Sequence, residues 1–180
     1  MALHTEVLVD GHVWFRIARP EWDDPLDPTW AGAVGGRWNP PASFPALYVN
    51  EDRTTARANM QLFTAQWPYE PEDLRPDAAP VLVALTLPRS QDVADVHTPA
   101  GVAAAGLPTT YPLDRRGRVL THERCQPVGV AAHDAGLRGV RCRAARLPLG
   151  AGRELAWFPA TVRSRAREAG REPFDEWFWR

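Results

Sequence analysis

The chain has 180 residues, of which 44% are hydrophobic and 24% charged, and its formal net charge is −1. These values are typical of one globular domain with a substantial core, and they argue against a disordered or fibrous protein. All 21 basic residues are arginine, and they concentrate in the second half: residues 1–100 hold 7 Arg and 14 acidic residues, whereas residues 101–180 hold 14 Arg and 8 acidic residues. No basic run is interleaved with aromatic residues, so the sequence argues against a nucleic-acid partner and favours attraction between the two halves or an anionic ligand among the arginines.

The cysteines and histidines give no metal or catalytic signature. Cys125 and Cys142 are the only cysteines, with no CxxC spacing, so we expect no metal site, and two isolated thiols fit a reducing compartment. Four histidines without metal or triad spacing are expected to be ordinary surface or core residues: His12, His97, His122 and His133.

We expect neither a signal peptide nor a membrane-spanning segment. Residues 1–13 lack a basic stretch followed by an apolar core, and no apolar run approaches the roughly 20 residues that span a bilayer. We therefore expect a cytoplasmic protein without membrane contact. The arginine-only basic residues, together with many alanines and prolines, indicate a GC-rich bacterial source.

In chain order, residues 13–17 alternate aromatic and β-branched side chains, which predicts a first strand. Arg16 within it lies at a strand edge or reaches into a cleft, because a buried unpaired guanidinium is costly. Residues 20–34 are rich in proline and acids, which predicts a loop. A short strand is expected at residues 46–49, and a helix from Thr54 or Thr55 to about Gln66.

Residues 35–41, with the sequence GGRWNPP, form the stretch densest in special-purpose residues. The glycines permit unusual backbone angles or a close backbone approach, and the prolines end regular structure. A guanidinium beside a glycine turn suits a phosphate or carboxylate, because its planar fork donates two parallel hydrogen bonds. The alternative is a tight structural loop in which Arg37 pairs with an aspartate and Trp38 caps the core.

The second half reads as alternating strands, loops and helices. Residues 81–87 predict a central strand, and residues 97–121 predict a long ordered loop covering a site. Further elements are expected as a helix at 126–135, strands at 139–142 and 154–158, and a last helix from Thr161 to about Gly170. The aromatic tail at 174–179 either packs back on the domain or contacts a partner, which makes a homodimer one interpretation.

These segments, in this order, resemble the RES domain family. The resemblance rests on the aromatic-Arg strand, GGRWN, the Leu-Tyr strand, Thr-Ala at the start of a helix, QPVG at 126–129, GVRCRAAR at 139–146 and GRELAWF at 152–158. It covers about residues 12–160 and leaves a C-terminal helix and aromatic tail at 161–180, all within one domain of residues 1–180. Known members degrade NAD+, often as the toxin of a toxin–antitoxin pair.

The resemblance implies a fold and a set of site residues. The fold is α+β, a mixed twisted sheet split around a cleft with flanking helices, as in ADP-ribosyltransferase-like NAD-cleaving domains. No cofactor is required, and NAD+ is the implied substrate or ligand. Five residues are implied to bind it: Arg16, Arg37, Tyr48, Trp38 and Asn39. The two arginines would hold the pyrophosphate, and Tyr48 would contact a ring.

Two positions for which the family is named depart from its pattern. The helix glutamate is replaced by Asn59 and the serine by Ala144. Cleaving the nicotinamide–ribose bond builds positive charge on the ribose, which a carboxylate stabilises, and losing one such group commonly costs about 10²–10³ in rate. Nearby in sequence, Glu51 and Asp52 lie at the other end of the same helix and are not expected to reach Asn59.

Two functions follow from these observations. The first is a RES-like domain that binds NAD+ or a related nucleotide and has weakened or lost NAD+-cleaving activity. The second is an active NAD+ glycohydrolase or phosphorylase that acts as a toxin, with a small helix-turn-helix antitoxin as its partner. A carboxylate from elsewhere in the chain within about 4 Å of Asn59 would favour the enzyme, because it would lie within hydrogen-bond reach.

Overall fold

The structure, a computed structural model, describes residues 2–145, 147 and 151–180. Its strands are β1 (Thr5–Val7), β2 (Val13–Ala18), β3 (Leu47–Asn50), β4 (Val81–Thr86), β5 (Asp92–Val96), β6 (Gly139–Arg143), β7 (Arg153–Trp157) and β8 (Arg167–Glu172). Its helices are α1 (Thr29–Val34), α2 (Arg53–Thr64), α3 (Pro99–Ala104), α4 (His122–Asp134) and α5 (Phe174–Trp177), with 3-10 turns at Pro71–Asp73 and Val162–Ser164. Within these described ranges, no helix has the length and apolar character needed to cross a membrane.

The eight strands form one mixed sheet in the order β1-β5-β6-β7-β3-β2-β4-β8. The pair β5–β6 is parallel, and the other neighbouring pairs are antiparallel. Between β2 and β3 the register is carried by the single pair Phe15–Asn50, whereas β2 pairs with β4 along its whole length. The sheet therefore opens at the β2–β3 boundary. The mixed sheet and its flanking helices confirm the α+β fold expected from the sequence.

Three apolar clusters hold the sheet and helices together. One lies between the sheet and α3 and α4, the second on the opposite face of the sheet, and the third between α2, β4 and the C-terminal tail. Representative members are, in that order, Trp38, Val96, Val128 and Phe158; Trp14, Leu47, Leu85 and Trp157; and Met60, Leu82, Phe174 and Trp177. Apolar residues thus cover both faces of the central strands. This packing holds β2 and β3 in place on either side of their boundary.

The first half of the chain largely follows its sequence pattern. Strands β2 and β3 lie within one residue of the predicted limits. Helix α2 begins at Arg53, because the side chain of Asp52 accepts a hydrogen bond from the Thr55 amide at 2.7 Å and acts as the N-cap. The end of the predicted 20–34 loop is instead helix α1.

The second half contains the clearest errors of the sequence prediction. The expected helix over residues 161–170 is wrong: Val162–Ser164 is a 3-10 turn and Arg167–Glu172 is strand β8, paired antiparallel with β4. Backbone pairing with the open edge of β4 overrides the local helix preference of this segment. The expected long loop over 97–121 contains helix α3, which Thr98 caps by accepting from the Gly101 amide.

The aromatic tail packs back on the domain. Phe174, Trp177 and Phe178 are buried, and the indole of Trp177 donates to the carbonyl oxygen of Pro80 at 3.3 Å. Trp179 is exposed. The packed interpretation of the tail is therefore confirmed for its first three aromatic residues, and a homodimer stays a prediction.

Helix α4 approaches the GGRWN loop so closely that only glycine fits at residue 129. A Cβ atom at this position would lie 1.6 Å from the carbonyl oxygen of Trp38. We expect Gly129→Ala to lower the free energy of unfolding by about 3 kcal/mol, since overpacking against backbone cannot be relieved by a side-chain rotation. Chemical denaturation measures this, with Gly170→Ala as the control, because a Cβ there meets nothing within 4 Å. Equal stability of the two variants would contradict the close approach.

Candidate functional site

The GGRWN loop is held by Tyr48 of β3. Gly35 follows the last residue of helix α1 and has a φ of 80°, a backbone conformation that favours glycine. Gly36 lies against the tyrosine ring, since a Cβ at this residue would be 2.4 Å from the hydroxyl oxygen of Tyr48. That hydroxyl donates to Asn39 Oδ1 at 2.7 Å and accepts from the Trp38 amide at 2.9 Å. Burial raises the pKa of Tyr48 well above its usual value, so the group stays a neutral donor.

Trp38 and Asn39 form the interior support of the loop. Their exposed fractions are 1% and 0%. The amide of Asn39 donates to the carbonyl oxygen of Ala31 at 2.6 Å, and Trp38 lies in the main apolar cluster. Both were expected to bind the nucleotide directly. The structure gives them no surface for such a contact, so their contribution is to hold the loop in place.

Arg16 lies at the β2–β3 boundary, beneath the open part of the sheet. Its Nη1 donates to the carbonyl oxygen of Tyr48 at 3.4 Å, and its Nε is buried without a hydrogen-bond partner among the described residues. Burial lowers the pKa of Arg16 to about 10, partly offset by Asp24 and Asp27. The guanidinium is therefore charged at neutral pH and retains donors for an anion.

Arg37 does not join Arg16. Its Nη1 donates to the carbonyl oxygen of Leu120 at 3.1 Å and lies 3.9 Å from Cys125 Sγ. Within the described residues, the cavity at Arg16 is lined without Arg37. The joint grip of the two arginines on one pyrophosphate stays a prediction that would require Arg37 to change its side-chain conformation. Among the described residues, Arg37 has no aspartate partner, so the alternative pairing expected from the sequence is not observed.

Three polar side chains converge at the end of the split in the sheet. In the register of β3 and β7, Asn50 lies directly opposite Glu154, so their side chains share one face. Helix α2 crosses this face and brings Asn59 to both: its Nδ2 donates to Asn50 Oδ1 at 2.8 Å and to Glu154 Oε1 at 2.8 Å. The Oδ1 of Asn59 is buried without a partner among the described residues. A carboxylate therefore touches Asn59, the residue that the resemblance places at the family's glutamate position.

These residues line one cavity of about 400 Å³. It lies between α1, the start of the GGRWN loop, β3, α2 and β7. Its polar lining combines one guanidinium, one phenol, two amides and one carboxylate, contributed by Arg16, Tyr48, Asn50, Asn59 and Glu154. Two buried polar atoms have no hydrogen-bond partner among the described residues, Arg16 Nε and Asn59 Oδ1, which is unusual in a folded interior.

The nearby acids behave as the sequence indicated. Glu51 pairs with Arg141, whose Nε lies 3.3 Å from Glu51 Oε2, and Asp52 caps α2. Neither carboxylate is a partner of Asn59 in the described structure. The charge at Asn59 comes from Glu154, which lies 95 residues further along the chain.

Sequence reasoning placed Glu154 in a strand but missed it as a site residue. The available signal was a carboxylate within the otherwise apolar run ELAWF. A charge in a buried strand needs a partner or a cleft, the argument that correctly singled out Arg16. Applied to β7, the same argument identifies Glu154 as a candidate.

The serine position of the family gives less information. Ala144 is fully buried, and its amide donates to the carbonyl oxygen of Gly152 at 3.3 Å. Arg146, the last residue of the GVRCRAAR match, lies outside the described residues. Burial raises the pKa of the neighbouring Cys142 thiol to about 12, so this cysteine is neutral and not a nucleophile.

His97 belongs to a cluster of charged residues that lies apart from the Arg16 cavity. His97 Nε2 lies 2.9 Å from Glu6 Oε1 and 3.6 Å from Asp95 Oδ1. Guanidinium groups already occupy this cluster: Arg153 Nε donates to His97 Nδ1, and Arg141 pairs with Glu6 at 3.0 Å. The cluster serves as an ion-pair network that joins β1, β5, β6 and β7.

Comparison with solved structures finds the same fold elsewhere. A chain in the crystal structure of the M. tuberculosis MbcT–MbcA toxin–antitoxin complex superposes with a TM-score of 0.70 at 23% sequence identity. The match covers 98% of the present chain and 90% of the other. At this identity the likeness concerns the fold. A search of curated proteins found no match.

The family comparison covers more of the chain than the motifs did. The RES domain matches residues 13–175, which include strands β2 to β8, the GGRWN loop, the cavity and the start of the aromatic tail. The motif-based resemblance ended near residue 160, before β8. The chain is a member of the RES domain family.

Proposed function

We propose that this protein binds NAD+ in the Arg16 cavity and cleaves its nicotinamide–ribose bond, with Glu154 in place of the missing helix glutamate. The observation that carries the proposal is the 2.8 Å hydrogen bond from Asn59 to Glu154 at the wall of the cavity. This distance lies within the limit of about 4 Å at which a carboxylate beside Asn59 favours the enzyme. The RES family membership supports NAD+ as the substrate.

The chemistry needs negative charge beside the ribose. When the bond between C1′ and the nicotinamide nitrogen breaks, nicotinamide leaves with the bonding electrons as a neutral molecule and the ribose becomes an oxocarbenium-like cation. Glu154 stabilises that cation electrostatically, and the amide of Asn59 holds the carboxylate in place. Water or phosphate then adds to C1′, and the proton that it loses goes to solvent or to Glu154.

The unpartnered atoms of the cavity suit the rest of the substrate. Asn59 Oδ1 accepts a hydrogen bond from a ribose hydroxyl, which fills its open position. Arg16 donates to the pyrophosphate through its guanidinium fork, including the Nε that has no partner among the described residues. One face of the site thus holds the reacting sugar and the other holds the anion.

A second function is favoured by a separate observation. Ala144 lacks a hydroxyl at the family's serine position and is fully buried, so one ligand-orienting group is absent. A domain that binds NAD+ without turning it over would be consistent with this loss. Glu154 argues for the enzyme because it restores the group with the largest expected effect on the rate, the charge beside the ribose.

The test is nicotinamide release from NAD+ by the purified protein, with and without phosphate. We expect release by the unmodified protein and a rise in KM of about 10-fold or more for Arg16→Gln, because a hydrogen bond to a charged group contributes about 1.5–3 kcal/mol. The control is Arg75→Gln, at an exposed arginine paired with Asp77. Binding of NAD+ without nicotinamide release would support the second function instead.

The fold comparison also supports a proposal about the partner. The similar chain comes from a toxin–antitoxin complex, so we propose that the present protein is a toxin held inactive by a helix-turn-helix antitoxin. Expression of the protein alone should then arrest growth and lower cellular NAD+. Normal growth with undiminished NAD+, in cells that accumulate folded protein, would contradict it.

A further inference from the structure

The Arg16 cavity continues into a second cavity of about 610 Å³. The two share Arg16 and Trp30 in their linings, so Arg16 lies at their junction. If the pyrophosphate of the proposed substrate binds Arg16 and the nicotinamide ribose lies at Glu154, the remaining adenosine half has to leave the junction. The second cavity, which Arg16 also lines, offers space for it beside the pyrophosphate position.

Two indoles line this second cavity. Trp22 and Trp30 are 39% and 70% exposed, which is unusual for the largest apolar side chain. The guanidinium carbon of Arg16 lies 5.5 Å from the centre of the Trp22 ring, a cation–π distance that places the ring beside the phosphate-binding group. An exposed indole face is a stacking surface for a purine base.

The charges around the indoles are mostly negative. Four carboxylates and two guanidinium groups line the cavity: Glu21, Asp23, Asp24 and Asp27 with Arg16 and Arg19. Arg19 is not expected to bind the pyrophosphate, and its Nη1 lies 3.7 Å from Glu21 Oε1, so it already has an anionic neighbour. Among the described residues, the carboxylate of Asp23 has no hydrogen-bond or ion-pair partner, whereas Asp24 and Asp27 each accept a hydrogen bond from a backbone amide two residues later.

We propose that this indole-lined cavity binds the adenosine half of the dinucleotide and selects NAD+ over NADP+. The inference rests on the proposed function of the Arg16 cavity. A carboxylate accepts a hydrogen bond from the adenosine 2′-hydroxyl of NAD+, and it repels the 2′-phosphate that distinguishes NADP+. Each carboxylate about 7 Å from a doubly charged phosphate disfavours it by about 3- to 10-fold in water, before salt screening.

Binding of the reaction products separates this inference from catalysis. We would measure the affinity of the purified protein for ADP-ribose and for 2′-phospho-ADP-ribose by calorimetry. ADP-ribose should bind at least about 10-fold more tightly, given repulsion from more than one carboxylate. In Glu21→Gln/Asp23→Asn the difference should shrink by about 3- to 10-fold in total through tighter binding of the phosphorylated ligand, because salt screening at about 0.15 M reduces the effect of each carboxylate.

Matched controls test the location of the effect. Asp92→Asn/Asp134→Asn removes two negative charges at residues that line neither cavity, and it should leave the ratio unchanged. Trp22→Ala should weaken ADP-ribose binding by about 5-fold or more, because a stacked base contributes about 1–3 kcal/mol. Trp67 lines a neighbouring cavity that Trp22 also lines. Trp67→Ala should weaken ADP-ribose binding less than Trp22→Ala does.

The possible outcomes are distinct. Preferential ADP-ribose binding without nicotinamide release would support the selectivity and contradict the proposed catalysis. Nicotinamide release from NAD+ and NADP+ at equal rates, with equal product affinities, would support the proposed catalysis and contradict the selectivity. Failure to bind either product, or a ratio that changes equally in the control double variant, would overturn the inference. A larger effect of Trp67→Ala than of Trp22→Ala would place the adenosine in the neighbouring cavity and also overturn it.

Discussion

Glu154→Gln is expected to reduce nicotinamide release by about 10²–10³-fold, the usual cost of removing one preorganised electrostatic group from a transition state. Glutamine has the same length and retains an oxygen that accepts the hydrogen bond from Asn59, which spans 2.8 Å to Oε1 in the unmodified protein. The substitution therefore removes the charge and keeps an acceptor for Asn59. The rate constant kcat for nicotinamide release measures it, and the loss should appear in kcat more than in KM.

The control for this variant is Glu168→Gln. Glu168 is a surface carboxylate on β8 that pairs with Arg171 three residues later, and it should not affect the rate. Thermal unfolding of both variants checks that they fold. Full activity of Glu154→Gln would show that the ribose cation is stabilised by another group, and it would remove the main support for the proposed function.

Exchanging the two side chains is the second test. Glu154→Asn alone should lose about 10²–10³ in kcat for the reason given above. In the double variant Asn59→Glu/Glu154→Asn the carboxylate moves to the helix, where the family has it, and the amide moves to the strand. Total side-chain length is conserved, since one position gains the methylene that the other loses. We expect the double variant to recover to within about 10-fold of the unmodified protein.

The single variant Asn59→Glu completes the double-mutant cycle. It places a second carboxylate beside Glu154, and two carboxylates in hydrogen-bond contact cannot both ionise easily, so the pair should bind a proton with a raised apparent pKa. Its activity should be below that of the unmodified protein at neutral pH. Strong non-additivity between the two positions is the expected signature of one shared charge. Additive effects would mean that Asn59 and Glu154 act independently.

The sequence alone determined the family and most of the local structure. Residues 35–41 combine turn-forming and ligand-binding residue types in a short stretch, and a helix was expected where α2 lies, although Asp52 rather than Thr54 or Thr55 is its N-cap. Arg16 was singled out because a charge within an apolar strand needs a partner or a cleft, and it lines the cavity. The departures at Asn59 and Ala144 were also visible without a structure.

Other features depended on neighbours that are remote in sequence. Residues 167–172 became strand β8 because the edge of β4 was available for pairing, and a local helix preference contains no information about that edge. Trp38 and Asn39 were expected at the ligand, but packing against α4 and the hydroxyl of Tyr48 places them inside the domain. The direction of Arg37 was decided by the carbonyl group of Leu120, which lies 83 residues away.

The pairing of Asn59 with Glu154 was decided by tertiary structure alone. It requires that β7 lie beside β3, that Asn50 and Glu154 occupy opposite positions in their register, and that α2 cross the same face. A shift of one residue in that register would turn Glu154 to the other side of the sheet. The resemblance indicates that the helix lacks the family's carboxylate, and only the fold shows that a carboxylate from a strand 95 residues away contacts Asn59.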